Sequence, residues 1–234
     1  NGFTYPFIDR DTLRTTLPYL TYLTIYSYGI EPDGSLDTID DLELIQMAKE
    51  YGVAPIMFTG TSHEGEDIDT ELAHNLIHNL QIKDTFIGNI LGVLNSKGYY
   101  GVNIDTPYIQ PQDRGAYVDF IAEITERINR EGFTVTVTIN PSNFEVSTGI
   151  IYAGIDYIGL SKAANSVLYQ LTYAWGYPHD LPLSVLPFSA VMETMDQAVG
   201  LITPEKMTLG ISIVGYLWEF PYFAAVTNTR YLNH

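Results

Sequence analysis

The chain contains no cysteine. That excludes a disulfide framework, a thiolate zinc site and a cysteine nucleophile. Basic residues are scarce as well: 11 Lys and Arg stand against 28 Asp and Glu, for a formal net charge of −17. So acidic a chain offers no electrostatic footprint to a phosphate backbone, and nucleic acid is not an expected partner. No apolar run approaches the roughly 20 residues of a membrane span. The residues after Asn1 lack the charged, apolar, small-residue order of a signal peptide, so the chain starts as a fragment or a processed form would. Among the five histidines only His74 and His78 share a helical i, i+4 spacing, and the intervening Asn75-Leu76-Ile77 has no Glu. That pattern reads as a pair on a helix surface, and neither a metal nor a cofactor is expected.

What is present is a globular composition, 46% apolar and 17% charged, which is too apolar for a solvated disordered segment. Short β-rich runs at 3–7, 19–28, 53–58, 101–105, 134–139, 166–173 and 207–216 alternate with helical periodicity at 9–17, 38–51, 69–97 (broken near 82–84), 113–130, 143–153 and 192–201. Such alternation is what a parallel sheet wrapped by helices requires. The expected fold is one α/β domain over 1–234, a (β/α)8 TIM-type barrel whose active face lies at the C-terminal ends of the strands. Only seven strands are readable. Either the chain is truncated at its C-terminus, or the segment 223–234 completes the wall, or another chain does.

The informative segment is Gly101-Val102-Asn103-Ile104-Asp105-Thr106-Pro107-Tyr108. Alternate side chains of a strand share a face, so Asn103, Asp105 and Pro107 point one way and Val102, Ile104 and Thr106 the other. An inward Asp at the C-terminal end of a barrel strand is costly to bury, and it stands where barrel enzymes place their chemistry.

This segment resembles the fourth-strand signature of family-18 glycoside hydrolases, in particular the spore-germination and cortex-lytic branch, where the strand reads Gly-Val-Asn-Ile-Asp-Phe-Glu-Tyr. Further segments resemble that branch in the same order: Leu17-Pro18-Tyr19-Leu20-Thr21-Tyr22-Leu23, Tyr51-Gly52-Val53-Ala54-Pro55, Leu171-Thr172-Tyr173-Ala174-Trp175-Gly176-Tyr177, and Pro204-Glu205-Lys206-Met207 leading into Gly210-Ile211 and Gly215-Tyr216. The resemblance implies a chitinase-like barrel acting on N-acetylglucosamine-containing polymers, peptidoglycan or chitin, outside the cell, at the cell wall or spore. It also implies a retaining mechanism in which the substrate's acetamido oxygen is the nucleophile. One protein Glu then protonates the leaving oxygen, the Asp two residues earlier holds the acetamido group, and a sixth-strand Tyr steadies the oxazolinium.

Asp105 occupies the Asp position and Tyr173 the Tyr position, but the Glu position holds Pro107. Proline has no proton to give, and general acid catalysis is worth about 10²–10⁴-fold in rate. The residue after the sixth-strand Tyr, acidic in the branch, is Ala174. Asp105 and Tyr173 therefore read as vestigial catalytic residues in a barrel that binds glycan and is impaired as an enzyme. The alternative is an active hydrolase in which Glu64, Glu66, Glu145 or Glu219, each on a loop after an expected strand, replaces the missing acid. A structural coat protein without glycan binding is the second alternative. Proline is tolerated at the end of a strand, and it biases Thr106 to an extended conformation, so Asp105 still faces inward.

Pyranose faces are apolar and rest on aromatic rings, of which the chain has 18 Tyr, 10 Phe and 2 Trp. Trp175 follows Tyr173 by two residues and Trp218 follows Tyr216 by two, so each pair shares a strand face near a C-terminal end. The expected substrate contacts are Asn103, Asp105, Tyr173, Trp175, Tyr216 and Trp218, with Tyr5 of the first strand as a further aromatic. No feature of the sequence specifies an oligomeric state.

Overall fold

In the computed structural model, which describes residues 1–61, 70–106, 109–139, 154–170, 188–211, 215–217 and 230–232, strands and helices alternate from the start. In order they are β1 (Gly2–Thr4), α1 (Arg10–Thr16), β2 (Tyr22–Gly29), α2 (Leu42–Glu50), β3 (Ala54–Gly60), α3 (Thr70–His78), α4 (Leu80–Lys97), β4 (Gly101–Asp105), α5 (Arg114–Arg130), β5 (Thr134–Ile139), α6 (Tyr157–Ala163), β6 (Ser166–Gln170), α7 (Phe188–Val199), β7 (Met207–Gly210), β8 (Gly215–Leu217) and β9 (Arg230–Leu232). The first seven strands pair in sequence order, every neighbour parallel, and curl into a half-barrel with helices outside. No ladder joins β7 to β1 among the described residues.

The pleat explains the layers. β5 reads Thr-Val-Thr-Val-Thr-Ile; Val135, Val137 and Ile139 enter the core with helix residues such as Leu44, Ile90, Ile121 and Leu160. Thr134 and Thr136 face the other way, where they line a cavity of ≈ 280 Å³ with Thr24, Asn103, Ser166 and Thr208. Strand β2 breaks the rule once: its register against β3 shifts between Ile25 and Tyr28. The extra residue of a bulge reverses facing beyond it. Tyr26 keeps the inner face that alternation from Thr24 gives it, against Phe58, while Tyr28 consequently turns outward into the helix layer.

There Tyr28 meets Asp41, which is fully buried. Its Oδ2 accepts from the Tyr28 hydroxyl at 2.5 Å and from the Tyr99 hydroxyl, and its Oδ1 from Lys97 Nζ at 2.6 Å. Lys97 also donates to the Ile39 carbonyl at 2.9 Å and lies 5.1 Å from the Tyr28 ring centroid. A carboxylate out of water needs this complement of donors and one cation. The network pins the residues entering α2 to β2 and to the α4–β4 junction. Burial and the Asp41 hydrogen bond both push the Tyr28 and Tyr99 phenols well above their ordinary value, so both remain donors.

Three sequence expectations are corrected. The break in the 69–97 helix is at Asn79, not 82–84: its backbone is extended and its side chain accepts from the amides of Gln81 and Ile82, capping a new helix. The run 207–216 is two strands, since β7 ends at Gly210 and Gly215–Leu217 pairs antiparallel with Arg230–Leu232. The C-terminal segment thus supplies a ribbon partner and, among the described residues, no eighth strand to the sheet. The seven-residue helix α6, capped by Asp156 accepting from the Gly159 amide, is too short for its periodicity to register in the sequence. The expected helix 143–153 lies outside the described residues.

Asp41→Asn strips the Lys97 ammonium of its counter-charge and is expected to cost on the order of 3–5 kcal/mol, and Tyr99→Phe about 1–3 kcal/mol. Guanidinium denaturation should show both as lower midpoints at unchanged slope; losses below about 1 kcal/mol for both would mean that the network is not what secures this layer.

Candidate active site

The parallel register sets Asp105 on the inner face at the C-terminal end of β4, opposite Gly60 of β3. A β-carbon at position 60 would stand 2.5 Å from the Asp105 carbonyl oxygen and 3.3 Å from its Cβ, so only glycine there permits this close approach of β3 to Asp105. The outward neighbours hold the strand end in place. Ile104 is fully buried, and the Thr106 hydroxyl donates to the Tyr117 hydroxyl of α5. The facing expected from strand alternation is what is observed: Val102, Ile104 and Thr106 go to the helices, and Asn103 and Asp105 to the interior.

The electrostatics of Asp105 are unlike those of Asp41. Its Oδ1 is buried and, among the described residues, has no hydrogen-bond partner. Desolvation therefore disfavours its charged form and pushes the carboxyl up to about 7. Tyr26 lies close by: burial first, then the charges of Asp105 and Tyr5, hold its phenol well above the usual value. The Gln170 side chain works against this rise in the Tyr26 phenol, which sets a side chain of β6 near one of the non-adjacent β2 across the concave interior. Gly210, paired with Gln170, keeps that side open, since a Cβ there would meet Gln170 Cα at 3.2 Å.

From this polar group a line of rings runs outward. Phe58 and Tyr26 have centroids 4.3 Å apart, Tyr26 and Tyr5 5.2 Å, and Tyr5 and Phe7 5.1 Å. Phe58 is buried, whereas Tyr5 and Phe7 are exposed. Such a strip is suited to the apolar faces of successive pyranose rings, while Asp105, Tyr26 and Gln170 supply polar groups at its inner end.

Of the expected contacts, the structure thus brings Asp105 and Tyr5 toward one region through Tyr26. Asn103 sits one layer deeper, buried, its Oδ1 accepting from the Thr138 hydroxyl at 2.9 Å, where it lines the inner cavity. Tyr216 is placed on β8 opposite Tyr231. Pro107, Tyr173, Trp175, Trp218 and the loop glutamates Glu64, Glu66, Glu145 and Glu219 lie outside the described residues. Tyr26, Phe58, Phe7 and Gln170 were not anticipated. Phe7 shares strand spacing with Tyr5, and Tyr26 with Thr24, so both were open to inference, whereas the outward turn of Tyr28 depends on the bulge. The helical pair His74 and His78 does not stand alone on a surface: both rings converge on Asp113.

No family model matches the chain. Its homologues are cortical fragment-lytic enzymes of spores: one from Bacillus subtilis (strain 168) is 28% identical over 221 residues, 94% of this chain and 51% of that protein. The spore cortex-lytic enzyme SleL of Bacillus cereus matches with a TM-score of 0.87 at 23% identity, covering 99% of this chain and 54% of that one. A chitinase from Chromobacterium violaceum (ATCC 12472) matches at 0.79 and 16%, covering 92% and 69%. The chain spans about half the length of the curated relatives it matches. The resemblance carried by Gly101–Asp105 and the other segments holds at the level of homologues and fold.

The raised Asp105 carboxyl fixes a sign for stability. Its folded value of about 7 exceeds the ordinary 3.8, so between those two values the folded state binds the proton more tightly. Stability from this group is full below about pH 4, is lost as pH rises toward 7, and then levels off, with a limiting slope of ~1.4 kcal/mol per pH unit. Denaturation midpoints at pH 5 and pH 8 should differ less in Asp105→Asn than in the unmodified chain. An equal difference in both would show that Asp105 ionises without penalty.

Proposed function

We propose that this chain is a glycan-binding barrel that holds N-acetylglucosamine-containing polymers, peptidoglycan or chitin-like, in a cleft at the C-terminal ends of its strands without hydrolysing them. The observation that carries the reading is the pairing of an inward, desolvated Asp105 with a proline two residues later, where the resembled family needs its acid. The glycan class is supported by homologues named for lysis of spore cortical fragments and by a fold shared with a chitinase. The aromatic strip from Phe58 to Phe7 supports sugar stacking at the mouth. In this reading residues 1–234 act as one barrel unit at the cell wall or spore. Asp105 orients an acetamido group, helped by Tyr173, while Tyr5, Trp175, Tyr216 and Trp218 line the sugar path. Asn103 supports Asp105 from the layer beneath. No helix among the described residues is long and apolar enough to cross a membrane.

A second reading is favoured by one specific feature. A carboxyl held at about 7 is partly protonated at neutral pH, so Asp105 itself has a proton to offer a glycosidic oxygen. An active glycoside hydrolase would then use Asp105, or one of Glu64, Glu66, Glu145 and Glu219, in place of the missing Glu.

Calorimetric titration with an N-acetylglucosamine tetramer, followed by chromatography of the mixture, separates the two. The expected outcome is saturable heat with the tetramer recovered intact. Trp175→Ala and Tyr5→Ala should each weaken binding about five- to tenfold, the equivalent of roughly 1 kcal/mol per lost ring contact. Pro107→Glu should create cleavage where there was none. Shorter sugars released by the unmodified chain would overturn the impairment and favour the hydrolase, with Asp105→Asn testing whether Asp105 is the donor. Absence of heat would refute both.

A further inference from the structure

The helix α3 carries His74 and His78 one turn apart on the same face, their ring centroids 4.5 Å apart. Neither ring points idly to solvent. His74 Nδ1 lies 2.8 Å from Asp113 Oδ2, and His78 Nε2 lies 2.8 Å from Asp113 Oδ1. Asp113 closes the short 3-10 turn Pro111–Asp113 ahead of α5, and its side chain is 4% exposed, against 44% for each imidazole. Among the described residues no lysine or arginine pairs with this carboxylate; its ion-pair partners are the two histidines. Three candidate ligand atoms, two nitrogens and an oxygen, thus lie within 4.8 Å of one another with one side open to water.

We propose that His74, His78 and Asp113 form a zinc-type divalent metal site that replaces the two histidine–aspartate hydrogen bonds. Two imidazoles and a carboxylate are a borderline-soft donor set that suits zinc or cobalt and not magnesium or calcium, which take oxygen ligands. Zinc–ligand distances of about 2.0–2.2 Å place tetrahedral ligands roughly 3.4 Å apart. The present 2.8 Å contacts therefore open by roughly half an ångström, which half-exposed rings permit, and water takes the fourth position. The protons balance: a neutral ring that donates to Asp113 carries its proton on the far nitrogen in the metal-bound form, Nε2 of His74 and Nδ1 of His78. A ring protonated beforehand releases one proton on binding.

The consequence follows from chain order. His74 and His78 lie on α3, which follows β3, and Asp113 lies in the turn between β4 and α5, so the metal joins helix α3 to the entry of the helix that follows the strand bearing Asp105. It is a staple between two elements of the helix layer, and it holds whether or not the barrel hydrolyses glycan.

The test is titration of the chelator-treated chain with Zn²⁺, Co²⁺ and Mg²⁺. Expected are one-to-one Zn²⁺ binding at micromolar concentration, visible absorption bands from bound Co²⁺, a rise in thermal midpoint with Zn²⁺, and no saturable Mg²⁺ binding. His74→Gln, His78→Gln and Asp113→Asn should each weaken Zn²⁺ at least tenfold. The double variant His74→Gln/His78→Gln should abolish the cobalt bands while keeping the metal-free circular dichroism of the parent. No saturable Zn²⁺ or Co²⁺ binding below 1 mM would overturn the proposal. So would binding that the double variant leaves unchanged, which would point to His63, His179 or His234, or equal affinity for Mg²⁺.

Discussion

In a parallel sheet covered by helices on one face, every residue is committed to a layer by strand alternation, and the rest of this molecule follows from that commitment. On β4 it sends Val102 and Ile104 to the helices and Asn103 and Asp105 to the interior. On β2 it is reversed once, by the register shift between Ile25 and Tyr28. Without that shift, Tyr26 and Tyr28 would share a face. With it, one tyrosine serves the interior beside Asp105 and the other serves the outer layer beside Asp41.

The two carboxylates show what the layers do with charge. Asp41 is surrounded by two phenols and an ammonium, so a fully buried acid has every near donor it needs and ties three segments together. Asp105 receives no such complement among the described residues, and desolvation pushes it toward its neutral form. Satisfied polar groups belong to the scaffold, whereas an unsatisfied one at the C-terminal end of a barrel strand is the kind of exception that function exploits. Gly60 and Gly210 preserve the exception, because a side chain at either position would crowd Asp105 or Gln170. Asp113 offers a third arrangement. Burial alone would raise its carboxyl, but hydrogen bonds from His74 and His78 outweigh that and hold it below the usual range. It is the buried acid whose partners are themselves metal ligands by chemistry.

Much of the fold was legible because its signals are local. The seven parallel strands each overlap a segment marked by β-branched and aromatic runs, and the facing of Asn103 and Asp105 follows from counting by two. The misplacements have two sources, one local and one distant. Asn79 interrupts a helix whose periodicity continues on both sides, because its side chain offers the next amides a cap. Gly215–Leu217 leaves the strand that precedes it to pair with Arg230–Leu232, a choice made by a partner distant in sequence.

The sequence by itself determined the class of fold, the position of an inward carboxylate on the fourth strand, the absence of an acid at residue 107, and the kinship with cortex-lytic barrels, since each is written in residue identity and short-range spacing. Only the tertiary structure decided which groups meet: Tyr26 with Gln170 across the interior, the rings from Phe58 to Phe7, Lys97 with Asp41, and both histidines with Asp113. These pairs are separated by many residues or depend on a bulge that reverses facing. Long-range register and the need of each buried charge for a partner select them, and neither leaves a pattern along the chain.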